Sequence, residues 1–556
     1  LIMELKELKN LLKKEGRLGK LDFAAIQEEA EHKGESIEDL LIEKDLISPK
    51  QLGELIAKKF KVPFVDLKTE PISEEVLRII PEVVARNRQI VAFARDKNGL
   101  KVAMARPDDL EMIQWLEKKT GEKILSFYTY LGQIKEALRY YKKELKVAFE
   151  EIIENQIEEA RGKAPESPPI IKLVDTLLEY GYTNRASDIH IEPEELKTDV
   201  RFRIDGVLHP VLTFDKDIHQ LVIARIKILS NLRTDEHFVP QDGKFRIKCD
   251  GEKFGIRVSV IPVTHGEKVV MRLLAERTRQ FNLSNLGFSP ADFKIIETNI
   301  KKPWGMILAT GPTGCGKTTT LYTILKLLNK SGVNITTIED PIEYDMDGVN
   351  QIQVNPKAGL TFATGLRSIV RQDPNIIMVG EIRDKETASI AVNSAMTGHL
   401  VLSTLHTNNA ATTLPRLIDM GIEPFLVASS VNIIIAQRLV RKICPKCSQT
   451  YSVKLAEFGE LQDIITQKAK EKTEIILSRG QGCPLCGHTG YIGRIGIFEI
   501  LQIEKNIQNL ITKQADSGEI QAMAIKNGMT TMLEDGISKM LDGITTLEEI
   551  LRVIRD

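Results

Sequence analysis

Little in this chain favours a charged or oily partner directly. Its 76 lysines and arginines meet 77 aspartates and glutamates, so no global field steers it toward nucleic acid or anionic lipid. Aromatic residues make up 5% of the total, and no basic-aromatic platform for stacking bases stands out. No apolar run approaches the ~18 residues that span a bilayer. The opening Leu1-Ile2-Met3-Glu4-Leu5-Lys6-Glu7 is charged and helix-like, unlike a secretory signal. Cysteine is scarce, six residues in 556, and most of it falls in two C-x-x-C pairs. That pattern argues against a disulfide framework and for a metal site in a reducing compartment, hence a cytoplasmic chain. No solenoid repeat is present. The length suggests roughly three or four domains.

What the chain does have is Gly311-Pro312-Thr313-Gly314-Cys315-Gly316-Lys317-Thr318, a match to the phosphate-loop pattern G-x-x-x-x-G-K-[ST]. Glycines let such a loop curl and turn its N–H groups inward on an anion. Lys317 supplies a mobile positive charge for the β- and γ-phosphates of ATP, and the Thr318 hydroxyl suits magnesium. The stretch from Gly305 to Thr310 reads as a buried strand, and Thr319-Thr320-Leu321 to Leu328 as a helix. Thr319 then sits at the helix N-terminus, where dipole and free N–H groups favour phosphate.

Three further stretches carry candidate chemistry. The strand from Ile335 ends in Glu339, Asp340 and Glu343. The apolar strand Ile376 to Val379 is followed by Gly380 and Glu381. Many phosphate-loop enzymes hold magnesium with an aspartate where Gly380 stands, and polarise water with the next glutamate. Glu339, Asp340 and Glu343 are therefore candidates for sharing the magnesium work, or else a solvated strand end. Glu381 is the candidate that orients the attacking water. The stretch Thr397 to Asn408 runs as a strand to His406 at its tip. Two readings of His406 stand: a hydrogen-bonded structural residue, or a sensor of the γ-phosphate. His399 reads as structural.

Taken in order, residues 4 to about 62 look helical, with Ile37, Leu40, Leu41, Leu52, Leu55 and Ile56 at helical spacing. Strands follow at Gln89 to Ala94 and Leu100 to Met104 around the turn Asp96-Lys97-Asn98-Gly99, then helices at 109–119 and 132–141. An acidic, proline-broken linker occupies 146–169. A helix from Ile170 to Tyr180 leads into alternating strands that line one sheet face with Arg201, Arg203, Arg246, Arg257 and Arg272. That face is either solvated or partly a set of phosphate ligands. Cys444-Pro445-Lys446-Cys447 and Cys483-Pro484-Leu485-Cys486 can place four thiolates tetrahedrally around a structural zinc. Cys249 and Cys315 read as free thiols, and alkylation of Cys315 is expected to inactivate.

These motifs together resemble the secretion ATPase superfamily, specifically its type IV pilus assembly and type II secretion ATPases. The resemblance covers residues 170 to 556 nearly continuously. It rests on Ala186-Ser187-Asp188-Ile189-His190-Ile191-Glu192-Pro193, Arg201 to Gly206, Pro240-Gln241-Asp242-Gly243, the phosphate loop and the Glu339-to-Tyr344 box. It rests also on Gly365-Leu366-Arg367 through Arg371-Gln372-Asp373-Pro374, the Glu381 strand, the His399-to-His406 box, both cysteine pairs and Gly493-Arg494-Ile495-Gly496. Residues 20 to 145 resemble the family's N-terminal docking module more distantly.

The resemblance implies a multidomain α/β protein. Residues 1–145 would form a docking module, mostly helical with a small α+β part, and 146–169 a linker. Residues 170–284 would be a PAS-like α+β lobe and 285–440 a RecA-like core with a parallel sheet. A tetracysteine zinc subdomain (441–490) and a helical C-terminal region (491–556) complete it. A homohexameric ring is implied, hydrolysing ATP with Lys317, Glu381 and Glu339, while Arg257, Arg272, Arg367, Arg371 and Arg494 contact phosphates. Implied partners are a polytopic inner-membrane platform protein and a cytoplasmic adaptor gripping the head, so that the chain works at the inner-membrane face through its partners. No nucleic-acid partner is expected. Retraction-type members lack the cysteine pairs and the long head, which favours an assembly motor. A type II secretion pseudopilus ATPase is the alternative. A nucleic-acid translocase and a non-hydrolysing scaffold are more distant ones. Three departures stand out. Cys315 replaces the usual serine. Glu236-His237-Phe238 replaces Glu-Arg-Arg, so an ion pair is expected to be missing. Arg17-Leu18-Gly19 lacks the continuation seen in heads that bind cyclic di-GMP, and Lys33-Gly34-Glu35-Ser36 lacks the arginine.

Overall fold

The computed structural model describes residues 167–555 apart from 250–251, 275–282, 470–472 and 484–485. Ahead of them it describes 41, 47, 49–67, 70, 72–77, 79–80, 84–85, 88–137 and 164. The expected helices of residues 4–40, the possible dinucleotide-binding stretches and the acidic part of the linker lie outside the described residues.

In the head, the helix Pro49–Phe60 buries Leu52 and Ile56 on one face, as their four-residue spacing dictates. β1 (Ile90–Asp96) and β2 (Gly99–Met104) form the expected hairpin, closed where the Asn98 amide donates to Asp96 Oδ1 at 2.8 Å. A further strand, β3 (Ile124–Tyr128), pairs parallel with β2 across the helix Leu110–Thr120. The hairpin turn needs Gly99, because a Cβ there would lie 2.1 Å from the Lys123 carbonyl oxygen.

The next lobe opens with the helix Pro168–Thr183. Its first-turn proline begins the helix rather than breaking the chain, since a first-turn residue needs no N–H donor. Six antiparallel strands follow: β4 (Ala186–Pro193), β5 (Lys197–Ile204), β6 (Val207–Asp215), β7 (Gln241–Cys249), β8 (Glu252–Val263) and β9 (Gly266–Leu274). Their order in the sheet is β6-β5-β4-β9-β8-β7. Inward residues such as Val200, Phe202, Val258 and Met271 are buried with Leu173, Leu177, Val222 and Ile226 of the helices Pro168–Thr183 and Lys216–Leu229. The arginines alternate with them, as a strand's period of two requires.

The central sheet is built from β10 (Gly305–Thr310), β11 (Ile335–Glu339), β12 (Val349–Gln353), β13 (Ile376–Val379), β14 (Leu400–Leu405) and β15 (Val431–Ile443). They are all parallel, in the order β12-β11-β13-β14-β10-β15. Met306 and Leu308 pack into one core with Leu366 and Val392, while Ile307 and Ala309 pack into another with Leu321 and Ile296. Helices thus cover both faces, which explains why β13 is apolar throughout and β10 and β14 are buried at every position. β16 (Ser448–Lys454) and β17 (Glu474–Gly480) form a hairpin beside the cysteine pairs.

The C-terminal region departs from its expected helical character. Tyr491–Gln502 is a long strand, β18, which pairs antiparallel with β15 from Ile433↔Gln502 to Ile443↔Tyr491. Its run of β-branched and aromatic residues, Ile495, Ile497, Phe498 and Ile500, suits a sheet better than a helix. Helices follow only from Lys505 onward.

Candidate nucleotide site and metal centre

The carboxyl ends of β11, β13, β14 and β10 stand side by side, and that edge gathers the candidate residues. Open α/β sheets bind ligands there, because the strand-to-helix loops converge on it. β10 leads into the loop, where Gly311, Gly314 and Gly316 adopt φ of 143°, 80° and 94°. Side chains rarely accept those values. Pro312, Thr313 and Gly314 are exposed, while Thr318 and Thr319 are partly buried at the start of the helix Lys317–Leu328. Lys317 is 8% exposed, and its Nζ donates to the carbonyls of Gly311 at 2.7 Å and Pro312 at 3.0 Å. Burial lowers its pKa, and the neighbouring Cys315 and Glu381 act against that shift. A buried lysine of this kind gains from a phosphate that restores its compensation.

Glu381 follows β13. Its Oε1 lies 2.6 Å from Arg383 Nη2, and its Oε2 lies 3.2 Å from Nε2 of His406, which follows β14. The structure thus brings Lys317, Glu381 and His406 to one edge. Thr407 and Thr310 join the ends of β14 and β10 through their hydroxyls at 2.5 Å, and Thr407 continues to Thr413 at 2.8 Å. Sequence reasoning missed Arg383 and this threonine chain. Arg383 is visible two residues past Glu381, but nothing local marks it as a carboxylate partner.

Glu339 sits differently. It is 2% exposed, and its carboxylate accepts from Tyr322, from Thr337 Oγ1 at 2.5 Å and from Gln351 Nε2 at 3.1 Å. Burial raises its pKa despite those bonds. Glu343 is partly exposed a few residues beyond. His399 is structural in its bonding, its Nδ1 lying 2.9 Å from the Ser394 carbonyl.

The arginines are not brought to the loop within one chain. Arg272 lies 2.9 Å from Asp188, which Arg203 also approaches at 3.5 Å. Arg257 faces Arg272 across the β8–β9 pair. Arg367 pairs with Glu386 at 2.5 Å, and Arg371 donates to the Arg367 carbonyl at 2.9 Å. Arg494 is exposed on β18. Among the described residues, none of these five bonds to the phosphate loop or to Glu381.

The structure bears on two expectations. Cys315 is 4% exposed and burial raises its thiol pKa, so the thiolate that alkylation requires is scarce. Glu267 is nonetheless engaged where Glu236-His237-Phe238 stands, by a contact with His237 and an ion pair with Lys227. His237 Nδ1 lies 2.8 Å from Glu267 Oε2, and the buried Lys227 lies 2.6 Å from Glu267 Oε1.

The thiol sulfurs of Cys444, Cys447, Cys483 and Cys486 all lie within 4.8 Å of one another. Cys444–Cys483, Cys447–Cys486 and Cys483–Cys486 are separated by 3.8, 3.9 and 3.7 Å. Tetrahedral zinc with Zn–S of about 2.3 Å needs edges of about 3.8 Å, so the cluster fits the metal. Burial disfavours a thiolate at Cys486, but the backbone amides of Cys483 and Gly490, together with the Cys483 and Cys447 thiols, bring the thiol down to about 7. With four protein ligands, such a centre leaves no position for substrate.

Over residues 163–552 the chain matches the Type II/IV secretion system protein family, and over residues 60–148 the MshEN domain. It is 39% identical to the type IV pilus assembly ATPase PilB of Myxococcus xanthus, across 98% of both chains. It is 40% identical to the type II secretion system protein E of Xanthomonas campestris, across 97% of both. To the type II secretion system ATPase E of Vibrio cholerae it is 47% identical, across 71% of this chain and 77% of that one. Among solved structures, the ATPase DotB of Legionella pneumophila shares the fold. It has a TM-score of 0.51 at 21% identity, covering 69% of this chain and 95% of DotB.

Proposed function

Because the chain belongs to the Type II/IV secretion system protein family, we propose that it is the motor that assembles a type IV pilus. It is an ATP hydrolase of the secretion and pilus class. The observation that carries the chemistry is the shared sheet edge, where Lys317 closes the phosphate loop and Glu381 stands between Arg383 and His406. Phosphoryl transfer asks for charge neutralisation and a placed water, and these residues supply both. The loop from Gly311 to Thr319 cradles the triphosphate. Thr318 takes magnesium, Glu343 beyond the tip of β11 shares that work, and Glu381 orients the water. His406 responds to the γ-phosphate through its contact with Glu381. The metal neutralises charge on the transferred group when bound.

In this reading the β10–β15 domain is a RecA-like core and the six-stranded lobe a PAS-like partner to it. Closure of the lobe, within a chain or between neighbours in a homohexameric ring, delivers Arg257 and Arg272. Arg367, Arg371 and Arg494 complete the cationic set. Zinc at the four cysteines is structural. The head takes a cytoplasmic adaptor, and a polytopic inner-membrane platform protein receives the rotation that adds pilin subunits. Among the described residues no helix is long and apolar enough to cross a membrane, which accords with attachment through such partners.

The end-to-end match to a type II secretion protein supports a second reading, a pseudopilus motor. Phosphate release by the purified chain with magnesium, alone and beside a platform protein, tests the motor. Activity in neither case, or activity equal to that of Lys317→Ala, overturns it. Strong stimulation by single-stranded DNA would instead favour a translocase. Complementation of strains lacking either system separates pilus from secretion. Chelation with a high-affinity zinc ligand should lower the thermal midpoint without altering the initial ATP affinity.

A further inference from the structure

The phosphate loop leans on a residue 122 positions further along the chain. Gln437 lies in β15, the strand beside β10, next to Ala436, the register partner of Thr310. It is 1% exposed. Its Nε2 donates to the Cys315 carbonyl at 2.7 Å, and its Oε1 accepts from Thr320 Oγ1 at 2.8 Å. One amide therefore clasps the loop and the first turn of the helix that follows. A Cβ at Gly311 would lie 2.6 Å from the Gln437 carbonyl oxygen, and one at Gly316 would lie 3.1 Å from its Nε2. The loop is thus moulded around this residue, against its backbone at Gly311 and its side chain at Gly316.

The chemistry requires such a support. A loop that turns its N–H groups toward phosphate turns carbonyls away from it, and a buried carbonyl needs a donor. Arg438 secures the support from behind. It is 6% exposed and donates to the carbonyls of Gln437 at 3.1 Å, Asn408 at 3.0 Å and Val553 at 3.2 Å. The same strand thereby holds the chain just past His406 and the final helix.

We infer that Gln437 is a positioning residue that keeps the phosphate loop in its nucleotide-binding shape. The inference rests on reading that loop as the ATP cradle. Leucine at 437 keeps the bulk and loses both bonds. Glutamate keeps the acceptor for Thr320 but sets a second oxygen against the Cys315 carbonyl. Thr320→Val removes only the other arm.

The test measures affinity for a fluorescent ATP analogue, KM, kcat and the thermal midpoint on the full chain with magnesium. Gln437→Leu and Gln437→Glu should raise Kd and KM by about tenfold, with kcat within about threefold. Thr320→Val should raise them by about threefold, and all three midpoints should stay within a few degrees of wild type. A folded Gln437→Leu with wild-type Kd and KM overturns the inference, as does a lowered midpoint with unchanged affinity, which would mark a packing residue only. Should both Gln437 variants fail to fold, Thr320→Val decides, and unchanged affinity there overturns it. A wild-type chain that binds no ATP analogue sinks the nucleotide reading itself, not the role of Gln437 within it.

Discussion

The tips of β11 and β13 are neighbours in one sheet, each closes a buried strand and each offers a glutamate, yet the two carboxylates live in opposite surroundings. Glu339 is the last residue of its strand, and the sheet's pleat carries it into the packed face, where Tyr322, Thr337 and Gln351 saturate it with neutral donors. Glu381 lies past the end of its strand, where the turn frees it from the pleat. Its side chain is 12% exposed and is held by Arg383 and His406, at the edge that Lys317 shares. Position relative to the strand end separates a carboxylate enclosed by neutral donors from one held at the sheet edge beside Arg383 and His406.

The widest gap between the two tips should appear in turnover. Glu381→Gln keeps the shape and the contact to His406 but cannot take a proton or carry charge. It should bind ATP near the wild-type level and release phosphate at least ~100-fold more slowly. Parallel binding and phosphate-release assays read this directly, and an equal loss in Glu339→Gln would erase the distinction. His406→Gln comes next. It leaves Glu381 in place but removes one of its two lateral supports, so turnover should fall by about tenfold with ATP affinity little changed. A His406 variant with full activity would leave Arg383 as the support that matters, and Arg383→Ala would then show the larger drop.

The parts of this architecture that could be read in the sequence are those whose cause is local. Gly311 to Thr318 is a contiguous pattern, and the run from Ile376 to Val379 can be little but a strand buried on both faces. Each C-x-x-C pair also holds its ligands close in sequence. What escaped reading depends on distant partners. β18 is a strand because β15 offers it an edge, and its sequence neighbours toward the C-terminus are all helical. The His237–Glu267 pair joins residues 30 positions apart, and the Gln437 clasp spans far more. The burial of Glu339 escaped reading for the same reason, since Tyr322 and Gln351 reach it from other elements. The arginines remain the hardest case. Their alternation on β5, β8 and β9 fixes which face they share, but the bonding partner of Arg272 within the chain is Asp188 rather than any residue of the loop.

The smallest effect belongs to the buried tip, and pH exposes it. Burial raises the pKa of Glu339 above the ordinary glutamate value of 4.5. The folded state then holds this proton where the unfolded chain has already released it. The stabilisation is fully present below the unfolded pKa and is lost as pH rises through the raised folded value. Glu339→Gln removes this titration while retaining an amide that can still accept from Thr337 and meet the Tyr322 hydroxyl. It should cost about 1 kcal/mol at low pH, for imperfect hydrogen bonding. The deficit should shrink or reverse as pH rises from 4.5 through the raised value, with turnover within about threefold of wild type. Thermal midpoints across that range for both chains give the answer. A deficit that grows with pH would mean that the ionised carboxylate is the stabilising form, and the neutral cage around Glu339 would have to be read as a charged one.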